Sequence, residues 1–210
     1  MTGGRRIPVL VVLPPRALLL DLAGPLEVLR IADAAQDRVG FDVAYAAPVP
    51  TTQSSVGLVL SGAGPLPGMV EDGAVILVPG SASRALASPD TAASAQAKAA
   101  IVAWLRAVVR PGHLLVTVCE GALLAAQAGL LDGYACTTHD ASGAKMAAAA
   151  PRARVLENRL FVEDRDRFTS AGCQAAGAGA SARPPAAGPV PLTPPAAPPR
   201  RIRTSRRRRR

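Results

Sequence analysis

Cys119, Asp21 and His139 are the residues of this chain whose types and settings point to covalent chemistry. Cys119 stands at the end of a short apolar, β-branched run, Leu114-Leu115-Val116-Thr117-Val118. A helical pattern through Leu123, Leu124, Gln127 and Leu130 starts at once after Cys119-Glu120-Gly121. A buried strand running straight into a helix puts the thiol on a tight corner, aimed outward, and the amino end of a helix favours the thiolate. This is a nucleophile elbow with Cys in the Ser position of G-x-S-x-G, with Thr117 standing where the first Gly would be. A cysteine at a strand end also serves as an inert packing residue.

A reactive thiol needs one group that keeps it ionised and another that manages protons. The chain has two histidines, His113 and His139. His139 follows Thr137-Thr138 at the far end of a short strand and is the better partner. His113, in Pro111-Gly112-His113, falls on the amino side of the Cys119 strand and reads as a surface-loop residue. Asp21 is expected in the first connection, within reach of the thiol. Glu27 is expected to support the helix that follows.

The elements that must position these groups are legible from their periodicity. Residues 7–13 read as a strand buried on both faces, ended by Pro14-Pro15. A helix is expected over 26–32, with Pro25 in its first turn. Residues 41–47 and 73–78 read as further strands and 56–60 as a short one. Residues 91–109 form an Ala-rich helix, with Ile101, Trp104, Leu105 and Val108 on one face and Trp104 as a core anchor. Short strands follow around 135–138, 155–156, 160–162 and 168–171, with a helix over 142–149 and a turn at Glu157-Asn158. Strands alternating with helices imply a parallel sheet covered on both faces. Sites in such sheets lie beyond the carboxyl ends of the strands. Asp21, the Pro79-Gly80-Ser81 turn, Cys119 and His139 all follow strands, so they are expected to converge at one edge.

A chain of 210 residues suffices for one α/β domain. Its net charge of +9 first resembles that of a nucleic-acid binder. Nine of the 24 basic residues, and no acid, lie in 173–210; the remaining 15 basic residues face 15 acidic ones, so 1–172 is formally neutral. Three cysteines at no metal-ligand spacing favour reduced thiols, a cytoplasmic setting and no metal. No apolar stretch reaches the roughly 18 residues of a membrane span.

Several motifs together resemble one family. They are Asp21-Leu22-Ala23-Gly24-Pro25-Leu26-Glu27-Val28, Val78-Pro79-Gly80, Val118-Cys119-Glu120-Gly121-Ala122 and Gly129-Leu130-Leu131-Asp132-Gly133. They continue through Cys136-Thr137-Thr138-His139 and Glu157-Asn158-Arg159-Leu160 to Thr169-Ser170-Ala171-Gly172. Over about 7–172 the chain is similar to the DJ-1/PfpI superfamily, relatives of class I glutamine amidotransferases. Within it the chain most resembles the N-terminal domains of AraC-type (GlxA-like) transcription regulators. The resemblance implies a flavodoxin-like three-layer α/β sandwich with a mainly parallel sheet. It implies Cys119 as elbow nucleophile, Asp21 as the acid near it, and His139 where many members carry a histidine. Gly24, Pro79, Gly80, Glu120 and Gly121 would line the pocket. No cofactor is implied. A small-molecule ligand and a homodimer are, with DNA bound only through a C-terminal helix-turn-helix domain absent here. The isonitrile hydratase branch shares the Asp-Leu-x-Gly-Pro segment and the Cys, and implies a cysteine-dependent hydratase or hydrolase as the alternative. Its elbow continues Cys-Thr-Gly, whereas Glu120 follows Cys119 here.

Beyond Gly172 the resemblance stops, and the family's last helix is not found. Residues 173–210 are Pro/Ala-rich and end in Arg206 to Arg210, the composition of a disordered basic tail. It is also what a GC-rich gene yields when read out of frame. A working tail of this kind would bind nucleic acid non-specifically, with steep salt dependence.

Overall fold

The computed structural model describes residues 4–82 and 91–172, and the backbone of 203–206. The central sheet runs β2 (Val39–Ala46), β1 (Arg5–Val12), β5 (Val75–Val78), β6 (Leu114–Val118), β10 (Arg167–Ser170), β9 (Arg159–Asp164) and β11 (Arg203–Arg206). The first five are parallel; β9 runs antiparallel to β10, and β11 antiparallel to β9. Two small sheets flank it, the hairpin β3 (Thr51–Gln53) with β4 (Val59–Ser61), and the parallel pair β7 (Ala135–Cys136) with β8 (Arg154–Val155).

Strand periodicity sorts the core into two layers. Val12, Ile76, Val78 and Leu115 face one side. There they meet α2 (Ala92–Val108), α3 (Gly121–Gln127) and α4 (Gly143–Ala149), through Ile101, Trp104, Leu105, Leu124 and Met146. Val9, Val11, Leu77 and Val118 face the other side, against Leu22, Leu26 and Leu29 of α1 (Leu19–Ala34). Alternate residues of one strand thus feed opposite layers, which makes 7–13 apolar throughout instead of alternating. The expected flavodoxin-like α/β architecture is observed.

α2 starts where the sequence indicates, because the Thr91 side chain accepts from Ser94 N at 3.2 Å and caps it. Trp104 anchors the core as expected, and its Nε1 donates to Pro67 O at 2.6 Å, tying the 62–68 loop down. Leu105 is completely buried. Leu105→Ala will destabilise the domain by about 3 kcal/mol, read as a lower urea midpoint at unchanged slope.

Three expectations are corrected. α1 begins at Leu19, so Asp21 sits in its first turn instead of a loop, and Pro25 lies inside the helix. The Asp21 carbonyl therefore receives no helical N–H from Pro25, which is itself buried. The strand expected over 56–60 is instead the second arm of a hairpin, at Val59–Ser61, after a turn with Gly57 at φ 87°. His113 is fully buried, not a surface residue; its Nδ1 accepts from Arg110 N at 3.3 Å.

Of the expected tail, Arg203–Arg206 adds an edge strand in register with Glu163 and Val162; 173–202 and 207–210 lie outside the described residues.

Candidate functional site

Cys119 follows β6 directly and takes φ 55°, one of four non-glycine residues with positive φ among the described residues. A Cβ is strained in that region, and such strain persists only where the surroundings over-determine it. Here they do. Cys119 N donates to Ser170 O at 2.8 Å, and its carbonyl accepts from Thr138 Oγ1 at 2.9 Å. The residue is 6% exposed. α3 begins two residues later, so strand, sharp turn and helix follow one another as an elbow requires.

Two glycines make the corner. A Cβ on Gly121 would overlap Val78 O and lie 2.9 Å from Pro79 O, so α3 rests backbone against backbone on the end of β5. A Cβ on Gly80 would collide with Asp21 Oδ2 and lie 2.9 Å from Cys119 Cβ. One absent methyl group therefore separates the carboxylate from the thiol-bearing residue, and the two are neighbours. Gly80 N also donates to Asp21 Oδ2 at 3.2 Å. Gly80→Ala will push Asp21 and Cys119 apart. It should slow Cys119 alkylation at least several-fold and lower the melting temperature, by overpacking that typically costs about 1–3 kcal/mol.

The loops after β1 and β5 are fastened to one another. Leu18 N donates to Gly80 O at 2.9 Å, Ser81 Oγ donates to Pro15 O at 2.7 Å, and Ala17 bridges Ser81. Asp21, 3% exposed, is thereby held beside the elbow from α1. Pro79 and Gly80 are buried in the same corner. Gly24 is half-buried within α1, one turn beyond Asp21, and Glu27 faces solvent, paired to Arg30 at 2.7 Å.

Glu120 is not aimed at the helix end. Its Oε1 accepts from Ser142 Oγ at 2.8 Å, on the 3₁₀ turn Asp140–Ser142. His139 is exposed, and its Nδ1 accepts from Ala141 N at 3.3 Å, capping that turn. It lines a cavity of about 190 Å3 with Thr137, Thr138, Asp140, Glu157 and Arg159, among others; Cys119 is not in the lining. The sequence expectation thus divides: Asp21, Gly80, Gly121 and Cys119 meet at one corner, while His139 stands in an adjoining cleft. His113 is at the opposite end of β6, as expected from its place in the chain.

Sequence reasoning missed Thr138 and Ser142, which hold Cys119 and Glu120, and Arg16, 3% exposed at φ 57° beyond β1. The rule that finds Asp21 and Cys119, position at a strand's carboxyl end, also covers Arg16. Among the described residues no three of His, Cys, Asp and Glu are grouped to hold a metal ion. No described helix is long and apolar enough to cross a membrane.

The corner thus sets Cys119, at positive φ, beside the buried Asp21 carboxylate. The model of the DJ-1/PfpI family matches residues 8–179. The chain belongs to the DJ-1/PfpI family. A 71-residue stretch is 48% identical to the HTH-type transcriptional regulator GbdR of Pseudomonas aeruginosa, covering 34% of this chain and 19% of that regulator. The chain thus spans about a fifth of that relative's length. An AraC family transcriptional regulator structure from Pseudomonas putida superposes with TM-score 0.60 at 20% identity, over 82% of this chain and 87% of that one. Drosophila melanogaster DJ-1beta gives 0.58 at 16%, over 83% and 87%. At these identities the superpositions establish the shared fold alone.

Proposed function

We propose that residues 7–172 are the ligand-sensing domain of an AraC-type transcription regulator, with DNA contacted by a separate C-terminal helix-turn-helix domain. The observation that carries this reading is the 48% identity over 71 residues to a helix-turn-helix regulator. The elbow supports it. The residue after the thiol is Glu120, and its carboxylate is engaged by Ser142, so it serves the architecture of the corner and not proton transfer. His139 spends its Nδ1 on a cap. The reading includes a cytoplasmic homodimer that binds a small molecule at the Cys119 corner.

A second reading, a cysteine-dependent hydratase or hydrolase, is favoured by the strained Cys119 and the adjacent Asp21. One experiment separates the two. The protein is incubated with small amides, aldehydes and methyl isocyanide while thermal shift and substrate loss are followed. The sensor reading expects a rise in melting temperature with at least one compound and consumption of none. Turnover of the isonitrile that disappears in Cys119→Ala would overturn it in favour of the enzyme.

A further inference from the structure

We infer that the cleft between Thr137–Gly143 and Val155–Arg159 is a second ligand site, for a small aliphatic monocarboxylate, and that it is coupled to the elbow. The inference goes beyond the sensor reading and holds whether or not Cys119 turns over a substrate.

The cleft has a donor end. Arg159 closes the turn in which Asn158 takes φ 54°. Its Nη1 makes only a long, 3.4 Å bond to Asn158 O, and its Nε is buried with no partner. A guanidinium stays charged at any physiological pH and presents a fork that matches a carboxylate. His139 stands on the same lining. Because its Nδ1 accepts from Ala141 N, the neutral ring carries its proton on Nε2, which is then a donor. The cleft also has an apolar wall, Val155, Leu156, Ala144 and Ala171, suited to a short alkyl chain.

Charge sets the class. Two carboxylates, Asp140 and Glu157, line the same cavity as the one guanidinium of Arg159, so a ligand carboxylate is held by charge at Arg159 alone and a second negative charge meets repulsion with no cation to offset it. A monocarboxylate is favoured over phosphate or a dicarboxylate. The volume, about 190 Å3, is well under the roughly 300–1,000 Å3 of drug-sized sites, so the ligand is a few heavy atoms in size.

Two hydrogen bonds join this cleft to the Cys119-Glu120 corner. Thr138, in the lining, donates to Cys119 O at 2.9 Å. Ser142, on the turn that His139 caps, donates to Glu120 at 2.8 Å. A ligand that draws in His139 and Arg159 therefore pulls on both residues of the elbow.

The probe is sodium propionate, titrated into the full-length, isotope-labelled chain at constant ionic strength against sodium chloride, with NMR readout of the Arg159 and His139 side chains. We expect saturable shifts in the millimolar range, and a change of at least twofold in the rate of Cys119 modification by iodoacetamide over the same range. Arg159→Gln should abolish saturation, and His139→Ala, at an exposed position, should weaken it several-fold; Cys119→Ala should leave it intact. Shifts no larger than with chloride, saturation undiminished in both cleft variants, equal binding of phosphate, or loss of binding in Cys119→Ala would each overturn the site. Binding without any change in the Cys119 rate would overturn the coupling. None of these outcomes bears on isonitrile turnover, so this inference and the sensor reading fail separately.

Discussion

Replacing Gly121 by alanine will cost the fold about 3 kcal/mol or more, a large share of a domain's stability. The added Cβ meets Val78 O and Pro79 O, which are backbone atoms at the end of a central strand. Neither can rotate away as a side chain would. Relief requires α3 to lift from β5, and α3 carries Leu124, Ala125 and Ala126 into the core. The corner would open with it, so Cys119 should lose its positive φ, and its rate of alkylation by iodoacetamide should change with it. Gly143→Ala is the matched control: it begins α4, has nothing within 4 Å of its new Cβ, and gains helix propensity. Urea denaturation should show Gly121→Ala strongly destabilised and Gly143→Ala unchanged or more stable by up to about 1 kcal/mol. Equal effects at the two sites would mean that the backbone contact at Gly121 is wrong.

The second large effect is on the thiols. Burial, aided by Asp164, pushes the Cys136 thiol up from 9.0 to about 11. At pH 8 the native protein keeps it protonated, and only a thiolate attacks iodoacetamide. Cys136 should therefore remain unmodified in the folded protein under conditions that alkylate Cys119, and react once urea unfolds the chain. The same shift has a stability sign. The unfolded thiol ionises from about pH 9 while the folded one does not, so the folded state binds the extra proton. Stability is fully present below pH 9 and falls as pH rises towards 11, by about 2 kcal/mol. Tyr134, raised by burial and its bond to Asp166, acts in the same direction above its usual 10.0. Melting curves between pH 8 and 11 should show this loss, flattened in Cys136→Ala and further in Cys136→Ala/Tyr134→Phe. A Cys136→Ala profile parallel to the unsubstituted one would refute the assignment.

The sheet was legible because each buried strand is a short apolar run with proline or glycine at its end. The corner was legible because a strand that ends in Cys-Glu-Gly and passes at once into helical periodicity leaves little room for any other geometry. What the sequence did not show is where side chains go once tertiary neighbours choose. In sequence Glu120 is only the pocket residue after Cys119, and its bond to Ser142, twenty-two positions away, depends on how the 139–143 segment folds back. His139 is placed correctly at a strand end, but its ring orientation is set by a local cap that periodicity does not encode. The early start of α1 was hidden by Pro25, whose usual meaning is a helix's first turn. The burial of His113 was hidden by Pro111-Gly112, whose usual meaning is a surface turn.

The position of β1 in the sheet has a consequence for synthesis. β1 is paired on both sides, by β2 through residues 39–46 and by β5 through residues 75–77. The first partner is close in sequence, the second more than sixty residues away. At typical translation rates of about 5–20 residues per second, the β5 side of β1 waits roughly 3–13 s for its partner to emerge. During that interval Val9-Leu10-Val11-Val12 presents an unpaired, uncharged, strongly β-forming edge, the kind of segment that recruits other chains. Chaperone demand on the ribosome should therefore concentrate on the first eighty residues, and an earlier charge on that edge would trade native packing for a safer birth.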